Sequence, residues 1–403
     1  MRFTFLVTLV AILAGCNSSP SPVLPPVELT PLENKINISR QWKFSVGEGV
    51  SEFYLKLEPV VSNAEGYVVD HKGELYAFNL ASGNKLWQLK LPSSVSGGLS
   101  FSKEKLFFGN SKGELVAFDT QGKKVLWRTQ LSSEILSSPA VSQGMVIAKT
   151  VDGRIYALDV DNGIQQWVYE LTVPSLTLRG NSAAIIYNDI VISASASGKL
   201  TALSLKQGKV LWQTTIAVAK GRNQIERIID LDVDPVVVGD VVYLAGYQGR
   251  LAAVKIASGE IIWNRDFSSY SGLYVDSNSV YITDDQGQVW AMNRFNGSTL
   301  WRQDKLLRRQ LTAPQIHGGY LVVGDYAGYL HWLDPDNGLL LARKRLNGYD
   351  FIIEDEEDVA DYDKNLELLY NKENNILVKP VVIDRLLLSI DRSGRFEAFA
   401  LEK

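Results

Sequence analysis

The sequence has one cysteine and three histidines in 403 residues. The single cysteine, Cys16, excludes an internal disulfide and any metal site built from several thiolates. The histidines, His71, His317 and His331, lie in different segments, and a shared zinc site would require them to converge. We therefore predict neither a metal site nor a catalytic cysteine–histidine pair.

Positive charge and long apolar runs are also scarce. The formal net charge is −4, so the chain lacks the basic excess typical of nucleic-acid-binding proteins. The apolar run at residues 3–13 is shorter than the roughly 20 residues that a transmembrane helix needs. No Gly-x-Gly-x-x-Gly or P-loop pattern occurs, and the glycines therefore do not indicate a phosphate site.

The N-terminus has the layout of a secretory signal, in which a basic residue, Arg2, precedes the apolar run. The run ends in Leu-Ala-Gly-Cys at residues 13–16, which resembles the bacterial lipobox. The resemblance implies that residues 1–15 are a signal peptide and that Cys16 carries the lipid, with several acyl chains giving stable anchoring. Asn17 replaces the aspartate of inner-membrane retention, which implies the outer membrane, facing the periplasm. The alternative is an ordinary signal peptide.

Residues 17–34 contain five prolines and several serines. Such a composition does not build a core and favours extended polyproline geometry. At ~3.1 Å per residue the segment would reach roughly 50 Å. We predict that residues 16–35 are a lipid-bearing tether, the alternative being a proline-rich ligand for another protein.

The dominant feature is a repeated unit, clearest at residues 153–167. Gly153 opens an alternating strand, an Asp-Asn-Gly turn at residues 161–163 favours a tight hairpin, and Trp167 follows Gly153 by fourteen residues. The same spacing joins Gly73 to Trp87, Gly113 to Trp127, Gly198 to Trp212, Gly249 to Trp263 and Gly287 to Trp301. A seventh copy starts at Gly328 but has Ala342 in place of tryptophan, and an eighth starts at Gly394.

The spacing of the leading glycines predicts the fold. The intervals are 40, 40, 45, 51, 38, 41 and 66 residues, and periods near 40 made of short strands are typical of propeller blades. We predict an all-β, eight-bladed β-propeller at residues 36–403, with four antiparallel strands per blade. The last copy ends before its tryptophan strand, and Trp42 supplies one at the other end of the chain. The N-terminal strand should therefore complete blade eight and close the ring.

The recurring tryptophans have two interpretations. A ligand platform would need one tryptophan in one cavity, whereas equivalent positions in successive blades indicate packing between blades. We favour packing for the whole set, which is Trp42, Trp87, Trp127, Trp167, Trp212, Trp263 and Trp301.

An alternating run of carboxylates at Asp230, Asp232 and Asp234 has the spacing of a calcium loop. A calcium loop also needs glycine at its sixth place and glutamate at its twelfth. These places hold Pro235 and Val241, so we predict no calcium site.

Two connections between blades depart from the period, at residues 172–180 and 217–232. Each joins the last strand of one blade to the first strand of the next, so both should emerge on one face of the disc. Five side chains should then lie close together: Leu176, Leu178, Arg179, Asp230 and Asp232. Apolar anchors beside an arginine and carboxylates fit a protein-docking patch. The alternative is two solvated loops whose leucines tuck inward.

The repeat, Ala-x-Asp-x-x-x-Gly-x-x-x-Trp, resembles that of pyrroloquinoline-quinone propellers. The quinoprotein dehydrogenases of that group share a vicinal disulfide and a calcium site beside the quinone. A chain whose single cysteine is Cys16 cannot form the disulfide. A quinone-dependent dehydrogenase is therefore the less favoured alternative, and we predict no cofactor.

A closer resemblance covers nearly the whole chain. The lipobox, the eight units and the words Pro-Ser-Leu-Thr-Leu-Arg-Gly at residues 174–180 and Asp-Pro-Val-Val-Val at residues 234–238 resemble the BamB family of outer-membrane assembly lipoproteins. The family implies a non-enzymatic scaffold of the β-barrel assembly (BAM) complex, with a POTRA domain of BamA, other complex subunits and unfolded barrel precursors as partners. Carried over, the BamA-binding residues are Leu176, Leu178, Arg179, Asp230 and Asp232. A scaffold for another periplasmic partner is the other alternative.

The last glycine interval contains an insertion near residues 347–374 with an acidic run at residues 354–358. We expect this insertion on the docking face, across the disc from Leu178. A run of like charges is usually solvated and can also steer a partner.

Overall fold

The computed structural model describes residues 24–174, 176–177, 182–219, 222, 228–346 and 374–402. Within these residues 32 strands form eight antiparallel sheets of four strands. This confirms the predicted all-β, eight-bladed propeller. Across the described ranges, no helix has both the length and the apolar character needed to cross a bilayer.

Consecutive strands within a blade are hydrogen-bonded neighbours, running from the axis to the rim. Blade one contains β2 (Val60–Ser62), β3 (Glu65–Val69), β4 (Glu74–Asn79) and β5 (Lys85–Lys90), and blade two contains β6 (Gly97–Ser102), β7 (Lys105–Gly109), β8 (Glu114–Asp119) and β9 (Lys124–Gln130). Blade three contains β10 (Ala140–Ser142), β11 (Met145–Lys149), β12 (Arg154–Asp159) and β13 (Gln165–Glu170), and blade four contains β14 (Ile185–Tyr187), β15 (Ile190–Ala194), β16 (Lys199–Ser204) and β17 (Val210–Thr215).

The second half of the ring repeats the arrangement. Blade five contains β18 (Val236–Val238), β19 (Val241–Leu244), β20 (Gly249–Lys255) and β21 (Ile261–Phe267), and blade six contains β22 (Leu273–Val275), β23 (Ser279–Thr283), β24 (Val289–Asn293) and β25 (Thr299–Gln303). Blade seven contains β26 (Gln315–His317), β27 (Tyr320–Gly324), β28 (Tyr329–Leu333) and β29 (Leu340–Arg345), and blade eight contains β30 (Val381–Ile383), β31 (Leu386–Ile390), β32 (Arg395–Leu401) and β1 (Ile38–Ser45).

Each blade has buried middle strands and a half-solvated outer strand. In blade three, β12 is buried over its four central residues, whereas β13 alternates between exposed and covered positions. The middle strands are covered by neighbouring blades on both faces, and they are therefore nearly continuous apolar runs. Eight apolar clusters fill the spaces between adjacent blades, including the space between blades eight and one.

The repeated tryptophan joins neighbouring blades. In blade three, Trp167 of the outer strand is paired with Ala157 of the third strand. Its indole Nε1 donates to Leu205 O of blade four at 2.7 Å. Gly208, with φ of 66°, lies under the ring, and a Cβ there would be 2.6 Å from the indole. The turn of the next blade therefore needs glycine for both its left-handed φ and the closeness of the ring.

The same indole-to-carbonyl bond recurs around the ring. The pairs are Trp42 with Leu80, Trp127 with Val160, Trp212 with Ile256, Trp263 with Arg294, and Trp301 with Pro335. The junction of blades one and two differs, because Lys123 with φ of 50° stands where the other turns have glycine. Its Nζ lies 5.6 Å from the centroid of the Trp87 ring. A cation–π contact thus covers this tryptophan.

The N-terminal strand closes the ring, as the sequence predicts. Strand β1 pairs antiparallel with β32, and Trp42 is opposite Ala398. The Trp42 and Phe396 ring centroids are 5.3 Å apart. Trp42 therefore has the same place beside its alanine that Trp87 has beside Ala77.

The described part of the predicted tether, residues 24–35, contacts the propeller. Residues 24–36, which we call the strap, lie against blade seven. Lys35 N donates to Leu341 O at 2.8 Å, and Val27 N donates to Leu307 O at 3.1 Å. The extended backbone finds partners there, so it does not stay fully solvated. Residues 1–23, including Cys16, and residues 347–373 of the acidic insertion lie outside the described residues.

Candidate functional site

The described parts of the connections between blades lie on one face of the disc. Leu171 N, at the start of the connection from blade three to four, donates to Gly153 O at 2.8 Å, and Gly153 lies in the turn between the second and third strands. Ala217 N of the next connection donates to Gly198 O at 3.1 Å. The connections and these turns therefore share what we call the connection face.

The two irregular connections predicted to form a docking patch are adjacent. Ala183 N, at the end of the connection from blade three to four, donates to Asp234 Oδ1 at 2.6 Å. Asp234 ends the connection from blade four to five. Beneath them, Lys149 Nζ donates to Ser182 Oγ at 3.1 Å and to Ala194 O at 2.8 Å. These bonds hold the two connections side by side over blades three to five.

Apolar side chains are exposed along both connections. Leu176 is 43% exposed and Val173 39% exposed on the first connection, and Val218 is 67% exposed on the second. Leu178 and Arg179 lie outside the described residues. The structure therefore places Leu176 on the surface and not tucked inward.

The two predicted carboxylates have different environments. Asp230 is 1% exposed, and its backbone forms a bridge with Tyr247, whose N donates to Asp230 O at 2.8 Å. This bridge draws residue 230 into the blade, so its side chain is not on the patch as we expected. Asp232 is half-buried. Of the two, Asp232 has the side chain with access to the surface.

These carboxylates lie beside two lysines near the propeller axis. Burial lowers the pKa of Lys149, although Asp230, Asp232 and Asp234 oppose the shift. Burial would also lower the pKa of Lys56, but the nearby Asp234 and Asp232 outweigh it and raise the pKa. The connection face therefore has a charge-compensated cluster at its centre, not a free acidic patch.

A cavity near the axis encloses about 410 Å³, part of it open to solvent. Its charged lining residues are Lys56, Glu58, Asp234 and Lys379. Lys379 Nζ is 3.6 Å from Glu58 Oε2. Burial raises the pKa of Glu58, and Lys379 partly offsets this effect. The lining thus offers two cations and two carboxylates.

This lining does not fit the quinone cofactor of similar propellers. Pyrroloquinoline quinone is a polycarboxylate, so its site needs an excess of positive charge or a bound cation. Here Glu58 and Asp234 offset Lys56 and Lys379. Over the ranges that the structure describes, no three His, Cys, Asp or Glu side chains are grouped to hold a metal ion.

Sequence reasoning missed several residues of the connection face. Phe53 and Tyr54, on the connection from blade eight to one, are 56% and 53% exposed. They lie in an irregular segment that has no periodic signal. Asp234, which joins the two connections, entered the sequence analysis only in the calcium pattern and in the segment that resembles the BamB family, and not as a contact between connections. No local signal could have identified this role, because the bond from Ala183 joins residues 51 positions apart in the chain.

Fold and site together define a quinoprotein-type β-propeller with an irregular connection face and an axial cavity whose balanced charges do not suit the quinone. A profile of the family described as outer membrane protein assembly factor BamB matches residues 71–303. The BamB of Pseudomonas aeruginosa is 43% identical over 342 residues, covering 85% of this chain and 90% of that protein. The chain belongs to the BamB family.

Solved structures show the same fold at lower identity. The crystal structure of BamB from Moraxella catarrhalis superposes with a TM-score of 0.77 at 23% identity, covering 90% of this chain and all of that one (100%). The quinohemoprotein alcohol dehydrogenase of Comamonas testosteroni gives 0.66 at 12% identity, covering 91% and 77% of the two chains. Both likenesses show shared architecture alone.

Proposed function

We propose that this chain is a scaffold of the outer-membrane β-barrel assembly complex and aids delivery and insertion of barrel precursors. Family membership supports the assembly role, because the relatives are named outer membrane protein assembly factors. The observation that supports a docking role is the side-by-side placement of the two irregular connections, joined by the bond from Ala183 to Asp234.

The partner at this face is a POTRA domain of BamA. Leu176 supplies an exposed apolar anchor, and Leu178, Arg179 and Asp232 complete the contact. Asp230 acts through the backbone, since its buried carboxylate and its bridge to Tyr247 fix the shape of the connection. Hot spots at interfaces typically combine such apolar anchors with arginine and a few placed charges.

The chain works without catalysis, held by lipid on Cys16 at the outer membrane and facing the periplasm. The lipobox at residues 13–16 supports the anchor. The balanced charges around the axial cavity support a non-enzymatic role, because they do not suit the quinone of the related dehydrogenases.

Co-purification with BamA tests the docking proposal. We expect Leu176→Ala, Arg179→Ala and Asp232→Ala each to reduce recovery of BamA, by roughly 5- to 30-fold in affinity if each residue is a hot spot. Asp189→Ala, in a turn on the opposite face of blade four, is the matched control for the aspartate. Leu211→Ala, 51% exposed on the outer strand of the same blade, is the control for the leucine.

The result that contradicts docking is equal recovery of BamA with all three patch variants and both controls. Asp230→Asn gives a further distinction. Because Asp230 is buried, any loss of BamA binding by Asp230→Asn should be accompanied by a lower melting temperature. Asp232→Ala should instead keep the native melting temperature.

A further inference from the structure

Blade seven differs from the repeat where the strap lies against it. Trp332 of β28 faces Ala342 of β29, so the large ring is on the third strand and the outer strand carries a small side chain. Ile36 and Ile38 pack into the cluster that contains Trp332 and Ala342. The small Ala342 therefore leaves room for the end of the strap.

The strap supplies hydrogen-bond partners to the outer edge of blade seven. The Asn34 side chain donates from Nδ2 to Arg343 O at 3.3 Å and accepts from Arg343 N at 2.9 Å. Lys35 N adds the bond to Leu341 O at 2.8 Å. An outer strand normally leaves such groups open to pairing with other chains. Here the protein's own N-terminal segment satisfies them.

Three guanidinium groups hold the upstream part of the strap. Arg308 Nε donates to Pro25 O at 2.6 Å, Arg309 Nη1 donates to Val27 O at 3.0 Å, and Arg343 Nη1 donates to Thr30 O at 3.2 Å. Prolines lack an N–H, so a proline-rich segment offers mainly carbonyl acceptors. Arginine donors match that chemistry.

Two of these arginines are held by a buried series of hydrogen-bonded side chains. Arg309 Nε lies 2.7 Å from Asp325 Oδ2, and His331 Nε2 lies 3.0 Å from the same oxygen. Arg343 Nε donates to His331 Nδ1 at 3.4 Å. Burial lowers the pKa of His331, and a neutral ring can donate at Nε2 while it accepts at Nδ1. Contacts other than those with the strap thus position Arg309 and Arg343.

We propose that the outer edge of blade seven is a dedicated binding site for the chain's own N-terminal segment and fixes where the lipid anchor leaves the disc. The proposal rests on the proposed lipidation of Cys16. Pro25 and Val27 contact Leu307 and Arg308, which belong to the connection from blade six to seven. The anchor therefore leaves from the connection face, two to three blade steps of roughly 45° each from the docking patch.

The strap limits how far the disc can move from the bilayer. Eight residue steps separate Cys16 from Leu24, which corresponds to at most about 28 Å of extended chain. If the strap were released, the free chain would reach Ile38, which corresponds to at most about 75 Å. Binding to blade seven thus removes more than half of the reach and brings one edge of the connection face toward the membrane.

A disulfide trap tests the contact without lipid. In a Cys16→Ser background we expect Val27→Cys with Leu307→Cys to cross-link under mild oxidation, because the backbones of these residues are hydrogen-bonded. Val27→Cys with Val210→Cys on blade four is the control pair and should stay reduced. If the pair with Leu307→Cys stays reduced, or if both pairs cross-link equally, the proposed binding of the strap to blade seven is wrong.

Hydrogen exchange tests the arginines. We expect Arg308→Ala and Arg343→Ala each to speed exchange of the Val27 and Lys35 amides at least tenfold, with Arg343→Lys intermediate. Arg302→Ala is the matched control, because Arg302 follows Trp301 in β25 as Arg343 follows Ala342 in β29. Exchange in β12 should not change, which separates release of the strap from global unfolding. Unchanged exchange of both amides overturns the proposal.

Spin labels on the lipidated protein in vesicles test the anchor geometry. Lipid on Cys16 blocks the single native thiol, so a nitroxide reagent labels only the cysteine introduced by Phe53→Cys. The distance between this label and labelled lipid headgroups can then be measured. We expect a narrow distribution that broadens when residues 24–34 become glycine and serine at unchanged length. If the native strap and the glycine–serine replacement give equal distance distributions while the disulfide still forms, the strap binds blade seven but does not fix the position of the anchor. A Cys16 found without lipid instead overturns the proposed anchoring and leaves the strap intact.

Discussion

Trp332 of β28 is paired with Ala342 of β29, the reverse of the pair that Ala157 and Trp167 make in blade three. The outer tryptophan of a typical blade packs on the turn between the third and fourth strands of the next blade. Blade eight has no such turn, because its fourth strand comes from the N-terminus. A tryptophan at residue 342 would have no turn to cover, and the ring is buried one strand inward instead.

The reversed pair makes a prediction about stability. Trp332 is fully buried, so we expect Trp332→Ala to lower the free energy of unfolding by about 3–5 kcal/mol. Ala342→Trp should cost about 1–3 kcal/mol, because the larger ring competes with Ile36 for space. Urea denaturation measures both. The control is Trp87→Ala, whose half-buried ring should cost less than Trp332. Equal losses for the two tryptophans would contradict this explanation.

Ring closure depends on β1. Deleting residues 36–46 removes this strand, and we expect a lower melting temperature, a broader transition and stronger binding of an apolar dye. Trp42→Ala is the milder change and should cost about 3–5 kcal/mol, because Trp42 is buried among Phe44, Phe78 and Phe396. Lys43→Ala, on the exposed side of the same strand, serves as the control. Native stability after the deletion would show that the ring closes in another way.

Asp391 should make the protein less stable as the pH rises. Its side chain begins the turn before β32 and is 4% exposed. Burial raises the pKa of Asp391 to about 6, although hydrogen bonds from Ser393 and Arg395 oppose the shift. An unfolded aspartate titrates near pH ~3.9. Between about pH 4 and 6 the folded state therefore holds a proton that the unfolded chain has lost, and stability falls as pH rises through this range.

The substitution Asp391→Asn tests this assignment. Asn110 has the equivalent place in blade two and accepts the same pair of backbone bonds, from residues 112 and 114. We expect Asp391→Asn to flatten the dependence between about pH 4 and 6 and to raise stability at pH 7 by up to about 2–3 kcal/mol. Urea denaturation at the two ends of the range measures the difference. A slope equal to that of the native protein would contradict the assigned pKa.

The equivalent residue of blade seven should respond in the opposite direction. Burial alone would raise the pKa of Asp325, but Arg309 and His331 outweigh it and hold the pKa well below its usual range. This stabilisation is complete above the unfolded pKa and is lost as pH falls toward the folded value. Asp325→Asn leaves Arg309 buried without its anion, so we expect a loss of about 3–5 kcal/mol at pH 7. A loss below about 1 kcal/mol would show that the pair is not coupled.

The blade count and the closure were predictable because both depend on short-range patterns. A glycine that opens a turn and a tryptophan fourteen residues later recur with little variation, and the ends of the chain supply complementary parts of one blade. The reversal at Trp332 was not predictable, since its cause is the missing turn of another blade. The sequence showed only that Ala342 broke the pattern.

The adjacency of the two irregular connections was predictable, and the placement of their side chains was less so. Spacing identified two adjacent irregular connections, and the bond from Ala183 to Asp234 shows that they meet. The burial of Asp230 depends on its bridge to Tyr247, which is a contact between a connection and a turn with no local signal. The strap was missed for a similar reason. Its prolines and serines predict a solvated chain, and the arginines that bind it are 282 to 313 residues away in the sequence.

The order in which the chain meets blades seven and eight has a mechanical consequence. Tension applied at Cys16 would first reach the contacts of Pro25, Val27 and Thr30 with their arginines. Only after these yielded would the force act on the β1–β32 ladder that keeps the ring shut. A force from the membrane or from a bound partner would therefore break the contacts between the strap and blade seven first. The pairing of β1 with β32, which closes the ring, would be loaded only afterwards.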